Sequence, residues 1–325
     1  LERGVDWDAC GVLQLAFDAK EAERQAQLAA AFPPSLLQPM SQTEAEQRAG
    51  IALPCGGLFY PEAGWAHPPA LCRLLAHHPN IQLLTHREAL SIRREAGAWQ
   101  AHGADGLLAA APILVLANAA DATAFEPTRA LPLKRIRGQI TRVPATPESR
   151  ALRTVLCAEG YVAPPRGDEH TLGASFDLHN RFQGVTPEEH IGNLNRLREI
   201  APELATRLDA GQLDPASLQG RAAYRCTSPD YLPLVGPLAD AAAFADCYAV
   251  LARDARQVPD IPCPWLDGLY VNLAHGSRGV VTAPLCGELL AAWLEAEPLP
   301  VPVAVAEACH PNRFLLRQQV RGQGG

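Results

Sequence analysis

The chain has 325 residues, of which 48% are apolar and 19% charged, which excludes a disordered or fibrous protein and leaves room for about two domains. Its 28 basic and 35 acidic residues give a net charge of −7, which excludes a generally basic nucleic-acid coat while allowing a local basic patch. Nine cysteines, odd in number, dispersed and nowhere spaced as CxxC, argue against both a disulfide framework and a zinc site, so no metal is expected.

Residues 18–31 are good helix formers without Gly or Pro and predict an exposed helix ending before Pro33 and Pro34. A second short helix is expected over Thr43–Ala49. The segment CGGLFYPEAGW (55–65) predicts a strand or loop where backbone approaches something closely. Pro68 and Pro69 suit the start of a helix over 69–78. Strands are then expected at IQLLT (81–85), ALSIRR (89–94), AWQAHG (98–103) and PILVLAN (112–118), the last apolar enough for a sheet covered on both faces.

Between 131 and 235 the pattern changes. Strand-like stretches occur at KRIRGQITRV (134–143), RTVLCAEGYVAP (153–164), HTLGASF (170–176) and SLQGRAAYRC (217–226), with a helix over 187–200. This predicts an antiparallel sheet with a helix on one face. A strand over 268–274, the loop HGSRG (275–279) and a helix over 280–296 follow, then a Pro-rich tail from 298 with 320–325 frayed. The longest apolar stretch, 107–120, is interrupted by Pro112 and Asn118 and falls short of about 20 spanning residues. A cytoplasmic protein with no membrane contact is expected. The chain opens at Leu1, its only methionine is Met40, and no signal peptide precedes the first helix, so a fragment of a longer protein is expected.

Two places carry chemistry. At 268–291 an apolar strand runs into a loop holding Gly276 and Gly279, and a helix begins at once. Free N–H groups and the positive dipole end there suit an anion or a group that becomes anionic, although an ordinary strand-turn-helix crossover has the same pattern. Arg225, at the end of a strand before the turn-forming TSPD, can present a fork to a carboxylate, or form a surface salt bridge. Gly138 lets a strand backbone approach a flat ligand.

Together WDACGVLQLAFD (7–18), CGGLFYPEAGW (55–65), RIRGQI (135–140), YRCTSPDYLPLVGP (224–237), GLYVNLAHGSRG (268–279) and HPNRFLLR (310–317) resemble the D-amino-acid oxidase-like, or glycine oxidase-like, flavoprotein superfamily. More closely they resemble the carboxy-terminal FAD-dependent half of bacterial bifunctional enzymes of tRNA 5-methylaminomethyl-2-thiouridine biosynthesis. The resemblance implies an α/β plus α+β fold, in which part of a Rossmann-like FAD-binding domain joins an antiparallel-sheet substrate domain. It assigns 1–65 with 131–235 to the substrate domain, 66–130 with 236–297 to an incomplete FAD-binding domain, and 298–325 to a tail. The superfamily's GxGxxG pyrophosphate motif does not occur among the 25 glycines.

The resemblance implies FAD as cofactor, with Ala89, Ala117, Asn118, Arg137, Gly138, His275, Gly276, Ser277, Arg278, Gly279 and Val280 beside it. Arg225 is implied to grip the substrate carboxylate, and Tyr161 to border that pocket. For His275 the open alternatives are flavin contact, a structural hydrogen bond and a general base. The implied reaction removes the carboxymethyl group of 5-carboxymethylaminomethyl-uridine at the tRNA wobble position, giving a primary amine and glyoxylate. Implied partners are tRNA and an amino-terminal methyltransferase domain. An oxidase of a free small amino acid, or an inactive remnant, are the alternatives. Arginines 135, 137, 142, 150, 153, 313, 317 and 321 are candidates for tRNA phosphates, scattered surface charge being the other reading.

Overall fold

A computed structural model describes residues 1–257 and 259–321. In chain order its first half contains β1 (Trp7–Asp8), β2 (Val12–Leu15), α1 (Ala19–Ala31), β3 (Gln38–Met40), α2 (Gln42–Ala49), β4 (Gly57–Tyr60), β5 (Trp65–Ala66), α3 (Pro68–Ala76), β6 (Ser91–Glu95), β7 (Ala98–Gly103), β8 (Gly106–Ala111), β9 (Leu114–Leu116) and β10 (Lys134–Pro144). There follow β11 (Val155–Cys157), β12 (Tyr161–Val162), β13 (Glu169–Gly173), α4 (Pro187–Ile200), α5 (Pro202–Arg207), β14 (Gln219–Thr227), β15 (Leu234–Ala239), α6 (Ala241–Cys247), β16 (Trp265–Leu273), α7 (Gly279–Glu295), α8 (Val303–Cys309) and α9 (Arg313–Val320).

Local chemistry sets many of these limits. Asp18 caps α1 by accepting from the Glu21 N–H. Ser41 and Glu44 form a reciprocal capping box on α2, which closes at Gly50 in the left-handed region. Thr186 caps α4, whose first residue is Pro187.

The chain divides into two compact units, Leu1–Gln82 with Arg137–Tyr224, and Leu83–Ile136 with Arg225–Gly325. The first is built on an eight-stranded sheet of order β14-β10-β13-β12-β11-β2-β4-β3. β10 with β13, β13 with β12, β12 with β11, β2 with β4 and β4 with β3 pair antiparallel, and β11 with β2 pairs parallel. Leu194, Leu197 and Ile200 of α4 bury against Leu13, Val143, Leu156 and Leu172, so the amphipathic helix covers one face of the sheet. The close approach predicted at the paired glycines is between strands: a β-carbon on Gly57 would meet the Gln14 carbonyl, and one on Gly56 that of Met40.

The second unit has two three-stranded sheets, β15-β16-β9 and β6-β7-β8. Trp99, Leu116, Leu234, Leu269, Val271 and Leu273 form its main core. Val235, Cys286, Leu289, Leu290 and Ala306 seat α7 and α8. The fold is α/β plus α+β, as expected.

Several expectations need correction. Residues 81–85 form no strand and are exposed. The apolar strand is three residues long, at a sheet edge, with Val115 exposed rather than covered. The strand expected from Ala89 begins at Ser91. The sequence reading missed β8, whose Ala-rich GLLAAA has little strand propensity, and β15, whose Gly236 and Pro237 suggest a turn. The Pro-rich tail holds two helices, because Pro302 and Pro311 lie ahead of α8 and α9 rather than inside them. Of the expected frayed end, Val320 closes α9 and Arg321 is its C-cap, while 322–325 lie outside the described residues. No helix among the described residues is long and apolar enough to cross a membrane.

Candidate functional site

Strands β9 and β16 run parallel, with Leu114 opposite Leu269 and Leu116 opposite Val271. Their carboxyl ends therefore leave the sheet at the same edge, the place where open α/β sheets bind ligands. Ala117 and Asn118 follow β9 and are exposed there, and the loop 274–278 follows β16. The structure thus brings together two groups of residues far apart in sequence. Ala274 and Gly276 adopt left-handed backbone, at φ 65° and 57°.

The loop leads straight into α7. Its N-cap, Arg278, provides no side-chain cap, and the N–H groups of Val281 and Thr282 both bond to the Arg278 carbonyl. The first-turn N–H groups at Gly279 and Val280 have no intrahelical acceptor, and Ser277, Arg278 and Val280 around them are exposed. An uncapped 17-residue helix presents partial positive charge at that point. Gly276 is required by the chain itself, since its φ is positive and a β-carbon would meet Thr227 Cγ2 at 3.1 Å. Gly279 is not: a β-carbon there would meet His275 Cβ at an ordinary 3.6 Å.

His275 is held on both sides, its Nε2 2.9 Å from Asn272 Oδ1 and its Nδ1 3.0 Å from Thr282 Oγ1. Burial lowers its pKa, which favours the neutral ring, and both ring nitrogens are engaged by Asn272 and Thr282, while the Thr282 hydroxyl also reaches the Arg278 carbonyl at 3.1 Å. Of the three roles open to His275, this geometry favours the structural hydrogen bond, because both ring nitrogens already have protein partners. Nothing in the sequence marked Asn272 and Thr282 as its partners.

Arg225 lies near the end of β14. Two residues on, Thr227 forms an isolated bridge with His275, and the Gly276 N–H donates to the Cys226 carbonyl at 2.7 Å. Arg225 is therefore carried to the loop that opens α7, a proximity no local pattern reveals. Ala89 is set apart, exposed in the segment ahead of β6 on the other sheet.

In the first unit, β10 alternates. Arg137, Gln139, Thr141 and Val143 are buried. Arg137 ion-pairs with Glu189 of α4 and donates to the Gly184 carbonyl at 2.7 Å. Gln139 and Thr141 bond to Thr186, Asn193 and His190. The Arg137 side chain, expected beside the cofactor, is thus committed to the face that α4 covers. Gly138 and Ile140 lie on the opposite face. There a β-carbon on Gly173 would stand 3.0 Å from Tyr161 Oη and 3.1 Å from Ile140 Cγ2, so Tyr161 shares a face with Gly138 and not with the Arg137 side chain.

The proposed arginine patch is largely neutralised. Arg135 pairs with Asp121, Arg142 with Glu169, Arg150 with Asp168, and Arg313 and Arg317 both with Asp230. Arg153 donates to the Gln47 carbonyl. Six of the eight arginines, Arg137 included, are thus matched with carboxylates, which favours scattered surface charge over a single basic patch. A cleft of about 590 Å³, lined by Pro127, Leu131, Phe244, Phe314 and Arg317, contains none of the residues expected to hold FAD or the substrate carboxylate.

Comparison with known proteins gives a consistent set. The family model described as FAD dependent oxidoreductase (DAO) matches residues 1–293. The tRNA 5-methylaminomethyl-2-thiouridine biosynthesis bifunctional protein MnmC of Ectopseudomonas mendocina (strain ymp) is 68% identical over 324 residues, 100% of this chain and 49% of its own length. The protein of that name from Pseudomonas aeruginosa (strain UCBPP-PA14) is 68% identical over 325 residues, 100% of this chain and 50% of its own. The chain therefore spans about half the length of the curated relatives it matches. Among solved structures, glycine oxidase from Geobacillus kaustophilus superposes with a TM-score of 0.71 at 19% identity, covering 95% of this chain and 76% of that one. At such identity the likeness concerns the fold.

Proposed function

The chain belongs to the FAD-dependent oxidoreductase family of the D-amino-acid oxidase type, and from that premise we propose that it oxidises the carboxymethylaminomethyl group of a tRNA wobble uridine, as one half of a bifunctional cytoplasmic protein. Support comes from relatives at 68% identity whose name is that biosynthesis. The observation that carries the reading is the meeting, at one sheet edge, of the uncapped start of α7 with the strand end that bears Arg225.

The residues present fit the flavin end of FAD. The close-approach loop at Gly276, the N–H groups at Gly279 and Val280, and the small residues Ala117 and Asn118 suit a flat, electron-accepting ring edge. Without a GxGxxG motif, the 325 residues do not supply the customary pyrophosphate loop. The second unit takes the FAD-binding role and the first the substrate role.

FAD, when bound, would supply the two-electron oxidation of the substrate's carbon–nitrogen bond. The guanidinium of Arg225 pairs with the substrate carboxylate and fixes which methylene faces the ring. Tyr161 of β12 and Gly138 of β10 share one face of the first unit's sheet, and that face would take the substrate. The start of α7 would favour negative charge on a group held there, by about 1–2 kcal/mol in a partly buried site. Neutral His275 holds the loop in shape and moves no proton. Water then hydrolyses the substrate imine to a primary aminomethyl group and glyoxylate. Arg135, Arg142 and Arg150, each already paired with a carboxylate, contribute little to tRNA affinity, so tRNA contact falls to other surfaces or to the methyltransferase half.

The test uses the intact two-part protein with FAD, supplied separately with undermodified tRNA and with glycine. Glyoxylate released from tRNA and not from glycine is the expected result. Release from glycine alone would replace this reading with an oxidase of free small amino acids, and release from neither would indicate an inactive remnant.

A further inference from the structure

Asp230 lies five residues beyond Arg225, in the turn that follows β14, and its carboxylate is a convergence point. Arg313 forks onto it, Nε to Oδ2 at 3.1 Å and Nη2 to Oδ1 at 2.8 Å, and Arg317 Nη1 donates to Oδ2 at 2.6 Å. The Ser228 hydroxyl adds a bond to Oδ1 at 2.9 Å. The Arg313 guanidinium, nearly all buried, also donates to the carbonyls of Leu232, Pro233 and His310. A buried fork fixes orientation as well as distance.

Within the turn Ser228 reaches the Leu232 carbonyl and the Leu232 N–H reaches Asp230, bonds that shape it locally but do not tie its tip to the rest of the chain. Pro229, Tyr231 and Leu232 are exposed, so apolar burial contributes little there. Tyr231 stands at φ 61°, a region that a bulky residue occupies only when its surroundings impose it. On the other side of Arg225's strand end, Cys226 and Thr227 are bonded to the loop at Gly276 and His275. The strand end thus lies between two anchors, the loop before α7 and helix α9.

We propose that α9 is a positioning element for substrate binding: the Arg313–Asp230–Arg317 clasp fixes the backbone from Cys226 to Pro233 and thereby sets Arg225 against the loop that opens α7. The inference rests on the reading of Arg225 as partner of the substrate carboxylate. It also gives a physical role to the pairing of TSPD with HPNRF, two segments 83 residues apart that the sequence offered with no reason for their co-occurrence.

The test is Asp230→Asn in the intact protein with FAD, which keeps the shape of the side chain and removes its charge. Flavin absorbance per protein should equal that of the unaltered enzyme, while KM for the modified tRNA rises about tenfold with kcat within about twofold. In the protein without FAD, amide exchange at Gly276 should quicken about tenfold while exchange within β7 is unchanged. On an Arg225→Ala background the same change should raise KM no further, because it acts through Arg225. Arg317→Gln removes only the exposed arm and leaves the buried fork, so it should move both readouts the same way by less, and it decides the matter if Asp230→Asn fails to fold. Unaltered KM and unaltered Gly276 exchange in the variants would overturn the proposal, as would additivity with Arg225→Ala. Should Arg225→Ala itself leave KM untouched, the carboxylate reading fails instead, and Gly276 exchange still judges the clasp.

Discussion

Arg225 and Arg137 show how differently two arginines of one chain can be employed. Arg225 is half-buried beside the loop before α7, and Arg225→Ala should cost roughly 2–5 kcal/mol in kcat/KM for carboxylate-bearing substrate while flavin stays bound. Arg225→Lys should rescue poorly, since a point charge cannot reproduce the fork. Steady-state kinetics with flavin quantified by absorbance checks both. Arg137 is buried against Glu189, so Arg137→Ala should destabilise the chain by about 3–5 kcal/mol, read from denaturant unfolding, because a carboxylate is left without its partner. The two glycines of the loop also part company. Gly276→Ala should cost about 1–2 kcal/mol through its positive φ, whereas Gly279→Ala should leave folding stability unchanged. Gly279→Leu should still fold but lose the flavin colour, its bulk projecting where the ring edge would lie.

At the scale of elements, what was legible in the sequence was what neighbours along the chain decide. The helices 18–31 and 187–200 were read to within a residue because Asp18 and Thr186 cap them locally. The strand-loop-helix at 268–296 was legible for the same reason. Segment 81–85 has strand-like residues and no strand, because a strand exists only with a ladder partner. The face to which Arg137 points depends on sheet register and on where α4 lies, and the link between Arg225 and the loop depends on the bridge from Thr227 to His275. Neither is written in local spacing. The exposed stretch around Arg87, between α3 and β6, should be the first tryptic site, cut before any bond within β10 or α4, as mass spectrometry of timed digests would show.

For the whole molecule, stability should depend on pH through buried neutral histidines. His310 lies edge-on to Trp265 and Trp293, at 5.8 Å from each, and its Nδ1 accepts from the Asn312 N–H. Burial first, then the charge of Arg313, lowers its pKa to about 4. His170, His190 and His275 shift in the same direction, each chiefly by burial. The unfolded chain therefore binds more protons than the folded one between about pH 4 and 6.5, and stability present above 6.5 is lost as pH falls through that window. Asp230 titrates well below it, held down first by the bond from Arg313, so the clasp stays charged throughout. Tryptophan fluorescence during urea unfolding at pH 7.5 and 5 should show the loss, and His310→Gln should flatten it.

The clasp also has a timing. Chains are made from the amino terminus at about 5–20 residues per second, and Asp230 depends on an arginine 83 positions later. Once the strand that bears Arg225 has been synthesised, the residue that secures its turn follows about 4–17 s behind. During that interval the first unit, whose segments end at Tyr224, has all its residues, whereas the carboxylate of Asp230 has not met its fork. The grip on substrate is thus among the last parts of the molecule to be set, and a nascent chain stalled before Arg313 should have a formed first unit with the turn after β14 still open to protease.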